Sequence, residues 1–266
     1  MKAKVLSVYD EGSLEGTSLI GAKGLSILID ADGERTLFDT GLRGGYLTHN
    51  TDLLNIDPDT VDRVVISHVH SDHTGGLQSF LERRKEAVTV LTPPGSDKAA
   101  EVKLLGRIPF KRIGMPRLSE DAASKAVMRQ IGELTQLSPH LALVPVPPAE
   151  GGSMMDPPVG ENALVLTSVN GPVLICGCCH SGICGLMDSV EETMKKKVSA
   201  VVGGIHLIRM NKDEVHALAK QLKEKGPPAL YLNHCSGQTQ RMRLREILGI
   251  KAVNDLYVGT EVQFDV

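Results

Sequence analysis

Four residues within six positions could do chemistry together: His68, His70, Asp72 and His73, in the run VVISHVHSDHTGGL from Val64 to Leu77. Imidazole and carboxylate suit Zn²⁺, Mn²⁺ or Fe²⁺. The run opens as a hydrophobic strand that ends at Ser67. Side chains alternate along a strand, so His68 and His70 point to the same side. The chain must then turn for Asp72 and His73 to converge from another direction. Gly75 and Gly76 permit a tight turn into the helix that follows. Two imidazoles at the strand end can hold one metal, with Asp72 and His73 holding a second beside it.

The elements that must position these groups follow from pattern. Lys4–Val8 reads as a strand. Leu25–Ile29 and Thr36–Phe38 form a pair joined at Asp32-Gly33. Val61–Ser67 is a buried, β-branched strand, Leu77–Lys85 a helix and Val88–Leu91 another strand. Residues 93–160 hold many of the prolines, with Met115, Met128, Met154 and Met155, and include the helix-compatible stretch Ser119–Leu137. This segment reads as a variable insertion or connection rather than core sheet. Its composition suits a lid, a homodimer contact or a packed surface excursion.

Ala163–Val169 and Val173–Cys176 read as a hairpin joined at Asn170-Gly171. A helix at Gly185–Lys195, a strand at Ala200–Val202, a helix at Asp213–Lys223 and a strand at Ala229–Leu232 follow. Thr239–Leu248 is a helix and Tyr257–Phe264 a closing strand. Strands first and interleaved helices later suggest two sheets covered by helices, an α/β or α+β sandwich.

HVHSDHTGG resembles the HxHxDH motif of the metallo-β-lactamase superfamily. LFDTG, with Asp39, resembles that superfamily's first motif. The resemblance implies a single domain, 1–266, with a four-layer αββα sandwich. It also implies that Asp39 sits beside the site and hydrogen-bonds its surroundings. Further ligands are implied from the second half of the chain, and three histidines directly follow strand-like runs there. They are His180 in LICGCCHSGI, His206 in VVGGIHL and His234 in YLNHCSG. Strand C-terminal ends gather at one edge in such arrangements, where sites form. His180 and His234 are the expected ligands. His206 has three readings: a ligand, a residue touching substrate, or a core histidine.

Many superfamily enzymes carry a bridging Asp after the strand that here ends in Cys176, and this chain has no carboxylate there. It also lacks a His-containing motif just before that strand. With its GC-x-H, GG-x-HL and HC-[ST]-G motifs, and GLS at Gly24–Ser26, the chain is similar to dihydropterin–ribofuranosylaminobenzene phosphate synthase-like proteins. The likeness covers most of the chain outside 93–160. It specifies fold and metal more than substrate.

Five cysteines are present, four of them in CGCCHSGIC. An odd number in a long chain argues against a disulfide scaffold, and no neighbouring CxxC pairs suggest a zinc ribbon. Cys178, Cys179 and Cys235 lie within two residues of a candidate ligand. A thiolate there could join the site, but packing beneath it is the expected role. Ser236 and Gly237 precede a helix whose N–H groups could face an anion, with Arg241, Arg243 and Arg245 behind them. A helix cap and a solvated face is the simpler expectation. His49, His140 and His216 have no motif around them and read as structural.

The chain is 41% hydrophobic and 23% charged, enough for a sizeable core, and its net charge of -3 gives no reason to expect nucleic acid. No signal-peptide core and no apolar run of about 18 residues occurs, so the expectation is a cytoplasmic protein with no membrane partner. The resulting functional expectation is metal-dependent hydrolysis, or a related group transfer, on a small and anionic or phosphorylated substrate. Two divalent ions, zinc or else manganese or iron, would activate a hydroxide. His68, His70 and His180 would hold one, and Asp72, His73 and His234 the other, with the assignment of His180 between the two sets left open. Asp72 would also orient the nucleophile, with His206 and Asp39 completing the catalytic set. The rival readings are an iron-dependent oxidoreductase or dioxygenase and a non-catalytic metal-binding protein. The diiron flavoprotein branch usually has Glu where this chain has His70, and it carries a flavin domain absent here.

Overall fold

A computed structural model describes residues 1–98, 100–104, 108–148 and 159–266. In chain order the first half contains β1 (Lys2–Tyr9), β2 (Ser26–Ala31), β3 (Glu34–Phe38), α1 (Gly44–Leu53), β4 (Arg63–Val65), α2 (Ser71–Thr74), α3 (Leu77–Glu82) and β5 (Val88–Thr92). There follow β6 (Ala100–Leu104), β7 (Ile108–Ile113), α4 (Glu120–Ser124), β8 (Ala126–Gln130), β9 (Thr135–Gln136) and β10 (Leu141–Val146). The second half contains β11 (Glu161–Ser168), β12 (Gly171–Cys176), α5 (Ile183–Met194), β13 (Ala200–Gly203), α6 (Lys212–Lys225), β14 (Ala229–Leu232), α7 (Gln238–Leu248), β15 (Val253–Asp255) and β16 (Glu261–Asp265).

Two mixed sheets result, ordered β16-β1-β2-β3-β4-β5-β8 and β15-β14-β13-β12-β11-β10-β9. The period of two along each strand divides the apolar residues between two faces. In and just after β4, Val65 turns toward the other sheet, while Val64 and Ile66 join the cluster containing Leu47 of α1 and Leu77, Phe80 and Leu81 of α3. In β12, Val173 and Ile175 share the inter-sheet core with Ile27, Ile29 and Phe38. Leu174 and Cys176 face the opposite way, onto a cluster with helical residues such as Leu186, Met187 and Val215. Helix α5 buries Ile183, Leu186, Met187 and Val190, the stripe of an amphipathic helix lying on a sheet. Helix α6 starts with a capping box between Asn211 and Glu214. The four layers are thus helix, sheet, sheet and helix.

This topology sets the site. Strands β3, β4 and β5 run parallel in the first sheet, and β12, β13 and β14 run parallel in the second. Their C-terminal ends supply the loops that carry Asp39, His68, His180, His206 and His234. Strand β11 is antiparallel to β12, so its first residue, Glu161, arrives at that same edge.

Several expectations need correction. Ser119–Leu137 is not one long helix. Ser119 caps a single short helix, α4, and the chain then extends into β8 beside β5. The 93–160 segment therefore supplies outer strands of both sheets, β8 to one and β9 and β10 to the other. Met154 and Met155 lie outside the described residues. The hairpin of β11 and β12 pairs Ser168 with Gly171, so its turn is Val169-Asn170, one residue earlier than expected. Strand β4 stops at Val65, and the histidine loop starts sooner. Among the described residues, no helix is long and apolar enough to cross a membrane.

Candidate metal centre

The loop after β4 carries three of the histidines. His68 Nε2 and His70 Nδ1 stand 2.9 Å apart, on the same side of the chain. Val69 between them points away into a small apolar cluster with Ile113. Helix α2 then turns Asp72 and His73 toward the same centre. Gly75 and Gly76 both have ordinary right-handed helical φ values, -66° and -86°, so the turn itself does not require glycine. What requires it is contact. A Cβ at Gly76 would stand 2.1 Å from Thr40 O, and one at Gly75 would stand 2.2 Å from Leu42 O. The glycines let the histidine loop pack directly on the loop that carries Asp39.

Asp39 is fully buried and accepts three hydrogen bonds. Ser67 N–H donates to Oδ1 at 2.7 Å, Ser67 Oγ–H to Oδ2 at 2.6 Å, and His73 Nδ1 to Oδ2 at 2.6 Å. The last bond turns His73 Nε2 toward His234 Nε2, 3.2 Å away. The His180 ring meets those of His68 and His70 edge-on, 5.1 Å and 5.3 Å from ring centre to ring centre. Its backbone N–H donates to Glu161 at 2.7 Å, and another oxygen of the same carboxylate lies 3.7 Å from His68 Nδ1.

Two ligand sets emerge, each with its donor atoms within 4.8 Å of one another: His68, His70 and His180, and Asp72, His73 and His234. All six metal-ligand candidates are therefore brought together, and Asp39 stands directly behind one of them. His206 lies at the margin, its ring 4.2 Å from that of His180. Donors on a tetrahedral zinc with bonds of about 2.0–2.1 Å stand about 3.4 Å apart, so the observed spacings fit such an ion.

Electrostatics agree with that fit. Burial, and then charge on His73, His70, His180 and His234, push His68 well below the ordinary imidazole range, which leaves it neutral as a metal ligand must be. Burial alone would raise Asp72. His73, His234 and Lys23 nevertheless hold its carboxyl well below the usual range, and it stays ionised. Burial opposes charge on His234 as well, yet Cys235, Glu11, Asp10 and Asp72 around it lift its imidazole to about 9. Without a cation His234 therefore holds a proton, which a metal would have to displace, and the anions around it would stabilise either charge.

Four non-glycine site residues have positive φ: Asp39 (62°), Cys179 (55°), His206 (51°) and His234 (52°). Such backbone costs about 1–3 kcal/mol per residue and persists only where neighbours enforce it. At His234 the enforcing neighbour is Asp10, at the end of β1. Its Oδ1 accepts from His234 N–H at 3.0 Å and from Glu11 N–H at 2.6 Å. Its Oδ2 is buried with no hydrogen-bond partner among the described residues. Burial pushes the Asp10 carboxyl up to about 8, although charge on His234 pulls it down. Asp10→Ala is expected to weaken metal binding about 10–100-fold by releasing the His234 loop, whereas Asp10→Asn, which keeps the acceptor, stays close to the parent. Chelator competition measures both, and equal affinities in the two variants would refute this positioning role.

Sequence reasoning missed Asp10, Glu161 and Ser67. Each is a single polar residue at a strand boundary, and its position at the site depends on the sheet topology. The cysteines divide. Cys179 packs in the core under α5, as expected, together with Cys176, whereas Cys178 and Cys235 line the cleft. All five thiols are free. Burial pushes Cys178 well up. It would raise Cys235 too, but a hydrogen bond with Cys178 and the imidazoles of His206 and His234 hold Cys235 well below the usual thiol range.

Arg241 is not on a solvated face. It is buried and binds Leu232 O at 2.7 Å and Asn233 Oδ1 at 2.6 Å, bracing the strand end before His234. Arg245 binds Val253 O and Asp255, and Ser236 Oγ accepts from Ile205 N–H. His49 binds Ser18 O at 2.8 Å and His140 binds Asp32 at 2.5 Å, and among the described residues neither joins a ligand set. His216 lies on α6 and joins none either.

The cleft over the centre has a volume of about 180 Å³, with Lys23, Glu11 and Arg209 at its rim. A larger groove of about 350 Å³ opens beside β10, β11 and α5, but Glu133 is its only ionisable lining residue among those described.

This geometry is that of a metal-binding fold of the metallo-β-lactamase type. The chain belongs to the metallo-β-lactamase superfamily, whose model matches residues 20–189. It is 28% identical, over 80% of its own length and 81% of the relative's, to the 7,8-dihydropterin-6-methyl-4-(beta-D-ribofuranosyl)-aminobenzene-5'-phosphate synthase of Methanocaldococcus jannaschii. Among solved structures it is similar to Tm1679, described as a metal-dependent hydrolase of the beta-lactamase superfamily. That likeness has a TM-score of 0.79 and 23% identity, and covers 99% of this chain and 100% of the other. It is also similar to the metallo-beta-lactamase fold protein YhfI from Bacillus subtilis, with a TM-score of 0.65, 12% identity and coverage of 99% and 100%. The fold, and the likeness to the synthase subgroup, are those the motifs implied.

Proposed function

We propose that this protein is a metal-dependent hydrolase or a closely related group-transfer enzyme acting on a small anionic substrate. The observation that carries the reading is the pair of adjacent ligand sets, His68, His70 and His180 beside Asp72, His73 and His234. Two divalent cations, zinc or else manganese or iron, would supply Lewis acidity and activate a water as nucleophile near neutral pH. The chain's own groups do the rest. Asp72, kept ionised, accepts a hydrogen bond from the nucleophile and orients it. Asp39 fixes the tautomer and direction of His73. Glu161 anchors the His180 backbone. His206 lines the cleft wall.

Lys23 Nζ lies 3.6 Å from Asp72 at the cleft rim, and Arg209 lines the same rim. Two cations over a metal centre favour a phosphate or carboxylate group on the substrate. The name of the Methanocaldococcus relative, a 5'-phosphate synthase, supports the same chemistry.

A panel of chromogenic phosphate esters, carboxylic esters and lactones, assayed with added zinc or manganese, tests the activity. Chelator-sensitive turnover of an anionic ester is expected, and no turnover of any member at full metal loading would overturn the reading. In the Lys23→Ala and Arg209→Ala variants, KM for the anionic ester should rise about tenfold, the loss of one charge-assisted bond of about 1.5 kcal/mol. KM for a neutral ester should stay unchanged in both, and so should kcat in Arg209→Ala, whereas Lys23 also helps keep Asp72 ionised. Equal KM changes for both esters would remove the charge-recognition role.

A further inference from the structure

A third group of donors adjoins the two already described. The ligand atoms of Cys178, His206 and Cys235 all lie within 4.8 Å of one another. They come from the loops after β12, β13 and β14, so three parallel strand ends deliver them together. Both thiols are buried, and all three residues line the cleft.

The local backbone is arranged around these sulfurs. His206 N–H donates to Cys235 Sγ at 3.2 Å. A Cβ at Gly204 would stand 2.3 Å from Gly177 O and 2.5 Å from the same sulfur, so glycine is needed where these loops meet. His206 Nδ1 is buried with no hydrogen-bond partner among the described residues. A buried imidazole nitrogen left in this way is costly unless something satisfies it, and a cation does so. Cys178 also belongs to a second group with His68 and His73, its Sγ 3.3 Å from His73 Nε2. Its sulfur therefore joins the imidazole-rich centre to the sulfur-rich corner.

We propose that Cys178, His206 and Cys235 form an additional, sulfur-rich metal position for a soft divalent cation, open to the cleft on its fourth side. Two thiolates and one imidazole select zinc or cobalt over magnesium, calcium or manganese. Two thiolate charges also offset the repulsion from cations in the neighbouring sets. Three protein ligands leave one coordination position for water or a substrate group.

Cobalt titration of the full-length protein tests this, with metal content and absorption read together. The parent protein should develop a thiolate-to-cobalt charge-transfer band in the near ultraviolet. Cys235→Ser and His206→Ala should each lose a cobalt equivalent and most of that band, with circular dichroism unchanged. His70→Ala should lose metal from the histidine set but keep the band, so failure of the histidine centre and failure of this position are told apart. Absence of the band in the parent protein would overturn the proposal. So would a band that survives in Cys235→Ser and His206→Ala but disappears in Cys178→Ser, since Cys178 would then serve the imidazole centre alone.

Discussion

His73→Ala should strip the protein of metal and of activity together. His73 is fully buried, and its two nitrogens have separate duties. Nδ1 donates to Asp39 at 2.6 Å, while Nε2 faces His234 Nε2 at 3.2 Å and Cys178 Sγ at 3.3 Å. Alanine removes a donor from the Asp72 set and leaves the Asp39 carboxylate without one of its three hydrogen bonds. Losing an orienting partner alone typically costs about 10–100-fold in affinity or activity, so loss of the ligand itself should exceed about 100-fold. His68→Ala should behave alike through the other set. Elemental analysis of purified protein and turnover of an anionic ester are the readouts, with His49→Ala, outside the ligand sets, as the control that retains both. Full metal content and parental turnover in both ligand variants would remove the site from consideration.

The second large effect is at Asp39, which touches no cation position. In Asp39→Asn one oxygen becomes an amide that donates. If the amide nitrogen takes the place of Oδ1, Ser67 N–H loses its acceptor; if it takes the place of Oδ2, both Ser67 Oγ–H and His73 Nδ1–H do. If His73 is the loser, its proton moves to Nε2, the nitrogen that must stay free for a metal. Metal affinity should fall about 10–100-fold. Asparagine tolerates the positive φ of 62° at this position, so the fold should survive. Asp39→Ala has neither acceptor nor that tolerance, and each buried donor left unsatisfied costs about 1–3 kcal/mol. The expected pattern is weaker metal binding in both variants, with a lower melting temperature mainly in alanine. Unchanged chelator competition in Asp39→Asn would show that His73 needs no such support.

Where the sequence was readable, the reason is local. The histidine loop announces itself because four ligand types crowd into six positions. Helices α5 and α6 show apolar stripes, and β12 is a short apolar run after a turn. Helix α1 has no such stripe. It buries Leu47, Asn50 and Thr51 under an otherwise polar surface, so no periodicity marks it. Strand β8 is largely exposed, and the capped turn before it resembles the start of a longer helix. Asp10 and Glu161 were illegible for a different reason. A carboxylate at a strand boundary is ordinary until the pairing of β11 with β12, and of β1 with its neighbours, brings it to the edge where histidines gather. The role of Cys178 and Cys235 likewise depends on which way two loops turn, which spacing along the chain does not reveal.

The donors around the centre are contributed by both sheets: Asp72 and His73 from the first, His234 from the second. A cation held across that boundary would act as a clasp between halves that otherwise meet through side-chain packing and a few hydrogen bonds, such as Asn162 N–H to Ser67 O and His234 N–H to Asp10. Unfolding either half would forfeit the whole coordination energy. At a thousandfold excess over its dissociation constant, an ion that binds only the native state adds about 4 kcal/mol. Chelation should therefore loosen the entire molecule rather than one loop, and the supply of metal would govern how long each copy of the protein survives proteolysis.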